Sequence, residues 1–286
     1  MGKKISFFIF SCALLCSIPG HGSPLGMGES VLRGAVQGVT EFLPISSSAH
    51  LLLLESVLDE NFSERSASFW HYHLLLQFAS VLPIFAFYRQ RMMQLLRGFL
   101  GRSKTGLFLL GKLLLAFFPT AISGAFFGGR RTDVHYCALP LLLGGVAILI
   151  FEYFHKKRGT KSLEELSTIS ALCIGLLQCL ALIPGVSRLL VSLLGAMSVG
   201  LSPGAAVEFS FLLGTGTICA ATTYDLCFGS MWSALQLFPS ASVFCGITAS
   251  FLCASLVIPT FLRWLRHHSL RPFAIYRITL GAILLF

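Results

Sequence analysis

Apolar residues in this chain gather into long, nearly unbroken runs. Five of them, roughly 69–88, 107–127, 134–154, 207–227 and 238–262, are long enough to cross a bilayer as a helix, which takes about 20 residues. A sixth, 273–286, is shorter. None alternates with a period of two, so an outer-membrane barrel is excluded and helices are predicted. Two further apolar stretches, 29–58 and 169–201, are broken near the middle, by Pro44 with Ser46-Ser47-Ser48 and by Pro184-Gly185. Each half is only about 12–15 residues, or about 20 Å of helix against a hydrocarbon core of about 30 Å. These stretches are predicted to be re-entrant hairpins that enter the membrane and turn back.

Basic residues punctuate the runs and set the topology. The segments 89–104 (Arg89, Arg91, Arg97, Arg102, Lys104), 155–161 (Lys156, Lys157, Arg158, Lys161) and 263–271 have the composition of cytoplasmic loops. All three stay on that side only if 169–201 enters and leaves there, and 29–58 then enters from the opposite face. A sequence echo agrees. Gly34 and Gln37 recur as Gly175 and Gln178 at an offset of 141, Pro44 and Ser47 as Pro184 and Ser187 at 140, and Leu143-Gly144 as Leu280-Gly281 at 137. The expected fold is an all-α integral membrane protein of about six transmembrane helices plus two re-entrant hairpins. Its halves, about 29–154 and 169–286, would form an inverted-topology repeat whose broken helices meet near the midplane. Residues 1–22 read as a signal-like leader, or as an extension upstream of Met27, and 23–286 as a single membrane domain.

Composition narrows the class. Of 286 residues 55% are hydrophobic and only 12% charged, and mean hydropathy is +0.80. A soluble domain carries about a quarter charged residues, so a soluble enzyme, a disordered chain and an ordinary secreted domain are excluded. The net charge of +9 sits in short loops, which argues for a membrane topology signal and against nucleic-acid binding. Nine cysteines without CxxC spacing indicate neither a metal cluster nor a disulfide framework.

Candidate chemistry sits in the hairpins. In GVTEFLPISSSAHLLLL, Gln37 and Glu41 share a helical face, Pro44 stops that helix, and His50 falls near the first turn of the next. In LIPGVSRLLVSLL, Ser187 and Arg188 begin the second half-helix. Two helix N-termini aimed at one locus, with Arg188 beside them, suit a strongly anionic group. A Glu or an Arg at membrane depth costs about 2.5–3.5 kcal/mol on insertion scales, so function is the default reading for both.

At these residues the chain resembles the undecaprenyl-diphosphate phosphatase family, the bacitracin-resistance type of membrane phosphatase. The likeness covers nearly all of 29–286 and rests on QGVTEFLPISSSAH, LQCLALIPGVSR, AAVEFSFLL and PFAIYR, in order. It implies hydrolysis of undecaprenyl diphosphate to the monophosphate, which recycles the lipid carrier of peptidoglycan synthesis, in the bacterial cytoplasmic (inner) membrane. It implies divalent-metal dependence as well. The family's motifs fall on Gln37, Glu41, Ser46, Ser47, His50, Pro184, Gly185, Ser187 and Arg188. Gln37 stands where Glu is common, Ser48-Ala49 where Thr-Gly is common, and Leu189 where a serine is usual.

The roles that follow are expectations. Arg188 grips phosphate oxygens, with Ser46, Ser48, Gly185 and Ser187 completing the phosphate site. Glu41, with Gln37 secondary, shares a divalent cation (Mg or Ca) with the diphosphate. Ser47 is the candidate nucleophile, with His50 or Glu41 as base, and His50 as nucleophile stays open. Lys112 is expected to snorkel, Glu208 to pair structurally or to serve catalysis, His71 and His73 to be interfacial, and Tyr276 and Arg277 to lock the last helix. The expected partners are a polyprenyl diphosphate and membrane lipids, with a homodimer left open. A secondary transporter or lipid flippase is the alternative, because inverted repeats with broken helices are transporter architecture.

Overall fold

A computed structural model describes residues 25–58, 62–127, 134–155 and 159–285; the leader-like segment 1–22 and the bases Lys156, Lys157 and Arg158 lie outside them. In chain order the helices are α1 Met27–Thr40, α2 Ser47–Leu58, α3 Phe62–Phe87, α4 Arg89–Phe99, α5 Lys104–Phe127 and α6 Ala138–Phe154. There follow α7 Thr168–Gln178, α8 Arg188–Ser198, α9 Pro203–Phe228, α10 Met231–Leu235, α11 Ser240–His267 and α12 Arg271–Ile283. Short 3-10 turns, Val134–Cys137 and Cys179–Leu182, precede α6 and follow α7. Among the described residues the only β pairing is an isolated bridge between Lys161 and Leu201.

Among the described residues four stretches are long and apolar enough to span a membrane: Lys104–Phe126, Val134–Phe154, Pro203–Phe228 and Ser240–His267. With the shorter apolar helices α2, α7 and α8 they make the chain an all-α membrane protein. The sequence pattern predicts a fifth long span at 69–88. All but its last residue lies within α3, but α3 begins at Phe62 and carries polar residues through His71, His73, Gln77 and Ser80. The basic segment 89–104, expected as a loop, is mostly the helix α4: Arg91, Gln94 and Arg97 line its polar side while Met92 and Leu95 pack on the core.

Both broken stretches are helix–turn–helix hairpins, α1–α2 and α7–α8. Serine caps set the starts of the second half: Ser187 accepts from the Leu190 N–H at 3.2 Å, and Ser202, ahead of Pro203, accepts from Ala205 at 3.4 Å. The span α9 runs through the centre and is more deeply buried than the other three spans. Phe209, Phe211 and Leu213 of α9 meet Ile84 of α3, Ala116 of α5 and Leu190 of α8 in one core. The outer faces of α5, α6 and α11 leave Phe118, Ile122, Leu143, Ile150, Phe244 and Leu256 exposed, as a lipid-facing surface requires.

The two halves pack in matching ways. Helix α1 lies on α11 as α7 lies on α5, while α3 meets α9 and α6 meets α12. Gly34 lets α1 approach α11 so closely that a Cβ would sit 2.1 Å from the Gly246 carbonyl oxygen. Its sequence echo Gly175 does the same for α7, where a Cβ would sit 2.3 Å from the Ala116 oxygen. Gly144 and Gly281 serve the α6–α12 contact in turn, against Arg277 and the Ala138 carbonyl.

Candidate active site at the hairpin tips

The last turn of α1 places Gln37 and Glu41 on one face, and the Gln37 Nε2 amide donates to Glu41 Oε2 at 2.7 Å. Pro44 ends the helix, and the chain reverses through Ser46, whose φ of 74° is a left-handed conformation rare outside glycine. Such a conformation costs about 1–3 kcal/mol and persists where surrounding bonds hold it. Here Ser46 Oγ caps Ala49 N at 3.4 Å, and its carbonyl accepts from His50 N at 3.4 Å and His50 Nδ1 at 2.7 Å. The reversal brings Ser47 back over α1, and Ser47 Oγ donates to Glu41 Oε2 at 2.7 Å. Nucleophile and base candidates are therefore in hydrogen-bond contact.

The ring of His50 points elsewhere. A carbonyl only accepts, so the bond to Ser46 puts the ring proton on Nδ1. In the neutral ring Nε2 then accepts from the Tyr276 hydroxyl at 2.6 Å, with the two ring planes 7° apart. Of the two candidate bases, the structure sets Glu41 against Ser47 and His50 against Tyr276.

The second tip turns at Pro184-Gly185. Gly185 has φ of 89°, and a Cβ there would lie 2.9 Å from Cys137 Cα, so both conformation and space require glycine. Arg188 opens α8; its Nη2 lies 3.5 Å from Gln77 Oε1 of α3, while its Nη1 is buried without a hydrogen-bond partner. Glu41 and Arg188 line one small cavity of about 20 Å³, together with Ser210, Phe211, Gly214 and Thr215 of α9.

The tips are joined directly. The Gly185 N–H donates to Ser48 Oγ at 3.4 Å, and Ser48 Oγ also pairs with Ser46 Oγ at 3.1 Å. Fully buried Arg277 of α12 donates to the carbonyls of Pro44 (3.3 Å), Gly185 (3.1 Å) and Pro140 (3.1 Å). One guanidinium thus ties both breaks to α6. Ser46, Ser48, Gly185 and Ser187, expected around the phosphate, all carry bonds within this architecture.

Farther up the first hairpin, Arg33 makes a bidentate pair with Glu55, Nε to Oε1 at 2.8 Å and Nη2 to Oε2 at 3.0 Å. His73 Nε2 adds a contact to Glu55 Oε1 at 2.9 Å, so α1, α2 and α3 are bound into one unit and His73 is buried. Glu208 pairs with Arg91, as a structural role demands, and Lys112 reaches out to the Glu164 carbonyl at 3.0 Å. Sequence reading missed Tyr276, Gln77, Ser210 and Thr215 as site residues, and gave Arg277 only a local role. The available signal was Arg277 itself, a charge inside a short apolar terminal run.

Gln37 Oε1 is a second buried atom with no partner, because Nε2 takes the bond to Glu41. An unused amide oxygen beside a carboxylate is a hard oxygen donor set, the kind a divalent cation accepts along with phosphate oxygens. Among the described residues no group of three His, Cys, Asp or Glu side chains stands ready for a metal.

Comparison with known proteins identifies relatives of the whole chain. The chain is 37% identical over 267 residues to the undecaprenyl-diphosphatase of Sorangium cellulosum, covering 90% of this chain and 85% of that protein. It is 36% identical to the undecaprenyl-diphosphatase of Bordetella avium, covering 91% and 96%, and 32% identical to undecaprenyl-diphosphatase 3 of Acinetobacter baylyi, covering 90% and 96%. Residues 30–283 match the family described as bacitracin resistance protein BacA, and with that coverage the chain belongs to this family.

Proposed function

We propose that this chain is a membrane phosphatase that hydrolyses undecaprenyl diphosphate to undecaprenyl phosphate and inorganic phosphate. That reaction returns the lipid carrier to peptidoglycan synthesis at the bacterial inner membrane and underlies bacitracin resistance. The supporting observation is the 2.7 Å bond from Ser47 Oγ to Glu41 Oε2, beside the unpartnered Nη1 of Arg188.

In this reading Arg188 grips the terminal phosphoryl group, with the planar guanidinium matched to two phosphate oxygens. Glu41 takes the Ser47 proton as Oγ attacks phosphorus, the bridging P–O bond breaks, and Glu41 returns the proton to the departing lipid phosphate. Water then attacks the phosphoserine, Oγ leaves with a proton, and inorganic phosphate is released. A divalent cation held by Glu41 and Gln37 Oε1 would neutralise charge on the diphosphate. His50, fixed between Ser46 and Tyr276, braces the tip of the first hairpin.

Phosphate release by purified protein, supplied with a polyprenyl diphosphate with and without chelator, tests the proposal. Release that stops on chelation and returns with Mg²⁺ or Ca²⁺ is expected. No release with any diphosphate lipid, alongside lipid uptake by vesicles, would instead favour a carrier.

A further inference from the structure

Hydroxyls on the helices of this protein commonly bond back to their own chain. Thr217, Thr248, Ser255 and Thr260 each donate to the carbonyl four residues earlier, at 2.5–2.8 Å. Ser210 and Thr215 of α9 do not. Both are buried, at 3% and 4% exposure, and neither hydroxyl has a partner, not even the back-bond to its own helix that such residues commonly make. A buried polar atom normally finds a partner, so two on adjacent turns call for a ligand between them. Thr222 Oγ1 is also unpartnered, but it lies about two turns farther on and does not line the cavity.

Ser210 and Thr215 line the cavity that Glu41 and Arg188 share, and Arg188 Nη1 is the third unpartnered atom there. At about 20 Å³ the cavity matches one water molecule, since about 10–15 Å³ of such volume suffices for one and a phosphoryl group needs several times more. Within a lining that is otherwise apolar, Glu41, Arg188, Ser210 and Thr215 supply the two to four partners that a buried water needs. Both bonds to the Glu41 carboxylate, from Gln37 and Ser47, fall on Oε2, which leaves Oε1 for another proton.

We infer that Ser210 and Thr215 hold the water that hydrolyses the phosphorylated Ser47, making this cavity the hydrolytic-water site. This inference rests on the covalent reading given above. The water's oxygen forms a bond to phosphorus while the P–Oγ bond of Ser47 breaks. One water proton passes to Glu41 and from there to Ser47 Oγ, so the enzyme is restored and phosphate leaves. The two hydroxyls are positioning residues: they act by orienting water, and the first phosphoryl transfer does not need them.

Rapid acid quench with a polyprenyl diphosphate labelled in its terminal phosphate separates the two steps. Ser210→Ala and Thr215→Val are expected to lower kcat by about tenfold each, the size of one lost hydrogen bond to a reacting group. The first-turnover burst of lipid monophosphate should stay at the wild-type rate, and label should build up on Ser47. Thr215→Ser, which keeps the hydroxyl, should restore wild-type kcat, and Thr217→Val, whose hydroxyl bonds its own helix, should change nothing. Unchanged kcat in both variants, or a burst slowed in step with turnover and a raised KM, overturns the inference; the latter would make the hydroxyls substrate contacts. Label on wild-type Ser47 that fails to accumulate in the variants overturns this inference alone. Absence of label from every protein, with Ser47→Ala still active, removes the covalent reading itself.

Discussion

Arg277 and Gly185 lie 92 positions apart in the chain, yet the Arg277 guanidinium donates to the Gly185 carbonyl at 3.1 Å. The same group reaches the Pro44 and Pro140 carbonyls, so the two hairpin breaks share one donor. Breaks in re-entrant helices free carbonyls that water would otherwise satisfy, and a buried cation with five donors answers that need.

Arg277→Met should therefore destabilise the protein strongly. It leaves the buried carbonyls of Pro44 and Gly185, and the partly buried one of Pro140, short of a donor, at about 1–3 kcal/mol for each buried group, and the effect should appear as a large fall in detergent melting temperature. Arg277→Lys should recover only part, for the compact ammonium has three donors on one atom and lacks the breadth with which two guanidinium nitrogens reach carbonyls on three segments. A Lys variant with wild-type melting and turnover would show that charge alone suffices.

At the chemical centre, Glu41→Gln should lower turnover by about 10²–10⁴-fold, the usual contribution of a general base. Ser47→Ala should abolish turnover while lipid binding is largely kept. His50→Ala should do less than either, because its ring bonds Ser46 and Tyr276, not Ser47. Kinetics on the purified variants decide this; a dead His50→Ala beside a nearly intact Ser47→Ala would pass the nucleophile role to His50.

Arg188→Ala should damage KM and kcat together, since it removes a charge from the phosphate and leaves Glu41 less compensated. Arg188→Lys should regain part of both. Equality with wild type would mean that a point charge replaces the planar fork.

Metal dependence should track Gln37. Gln37→Leu removes the unpartnered amide oxygen and should raise the cation concentration needed for half-maximal activity, whereas Gln37→Glu adds a carboxylate and should lower it. Titration of Mg²⁺ or Ca²⁺ into chelated protein reads both shifts. Identical titrations for all three proteins would place the cation elsewhere.

The paired glycines give a test of packing. Gly34→Ala and Gly175→Ala each drive a Cβ into a helix backbone and should each cost about 1–3 kcal/mol. Gly111→Ala, where a Cβ meets nothing within 4 Å, should be neutral or slightly stabilising. Thermal melts of the three variants in one detergent supply the comparison.

The sequence alone determined the helical membrane class, both hairpin breaks and the residues at their tips, because each depends on local rules. Unbroken apolar length makes spans, a mid-run proline stops a helix too short to cross, and the spacing of Gln37 and Glu41 puts them on one face. The polar start of α3 was beyond its reach, since whether His73 faces lipid, water or Glu55 depends on which helices surround it. Only the tertiary structure decided which base meets Ser47. Candidates three and six residues away were both within reach along the chain, and the left-handed turn at Ser46 chose Glu41 while Tyr276, 226 positions from His50, claimed the imidazole. Likewise Ser210 and Thr215 look like ordinary helical hydroxyls in the sequence. Their place beside Arg188 comes from α9 passing through the centre of the fold, a long-range contact that no local pattern encodes.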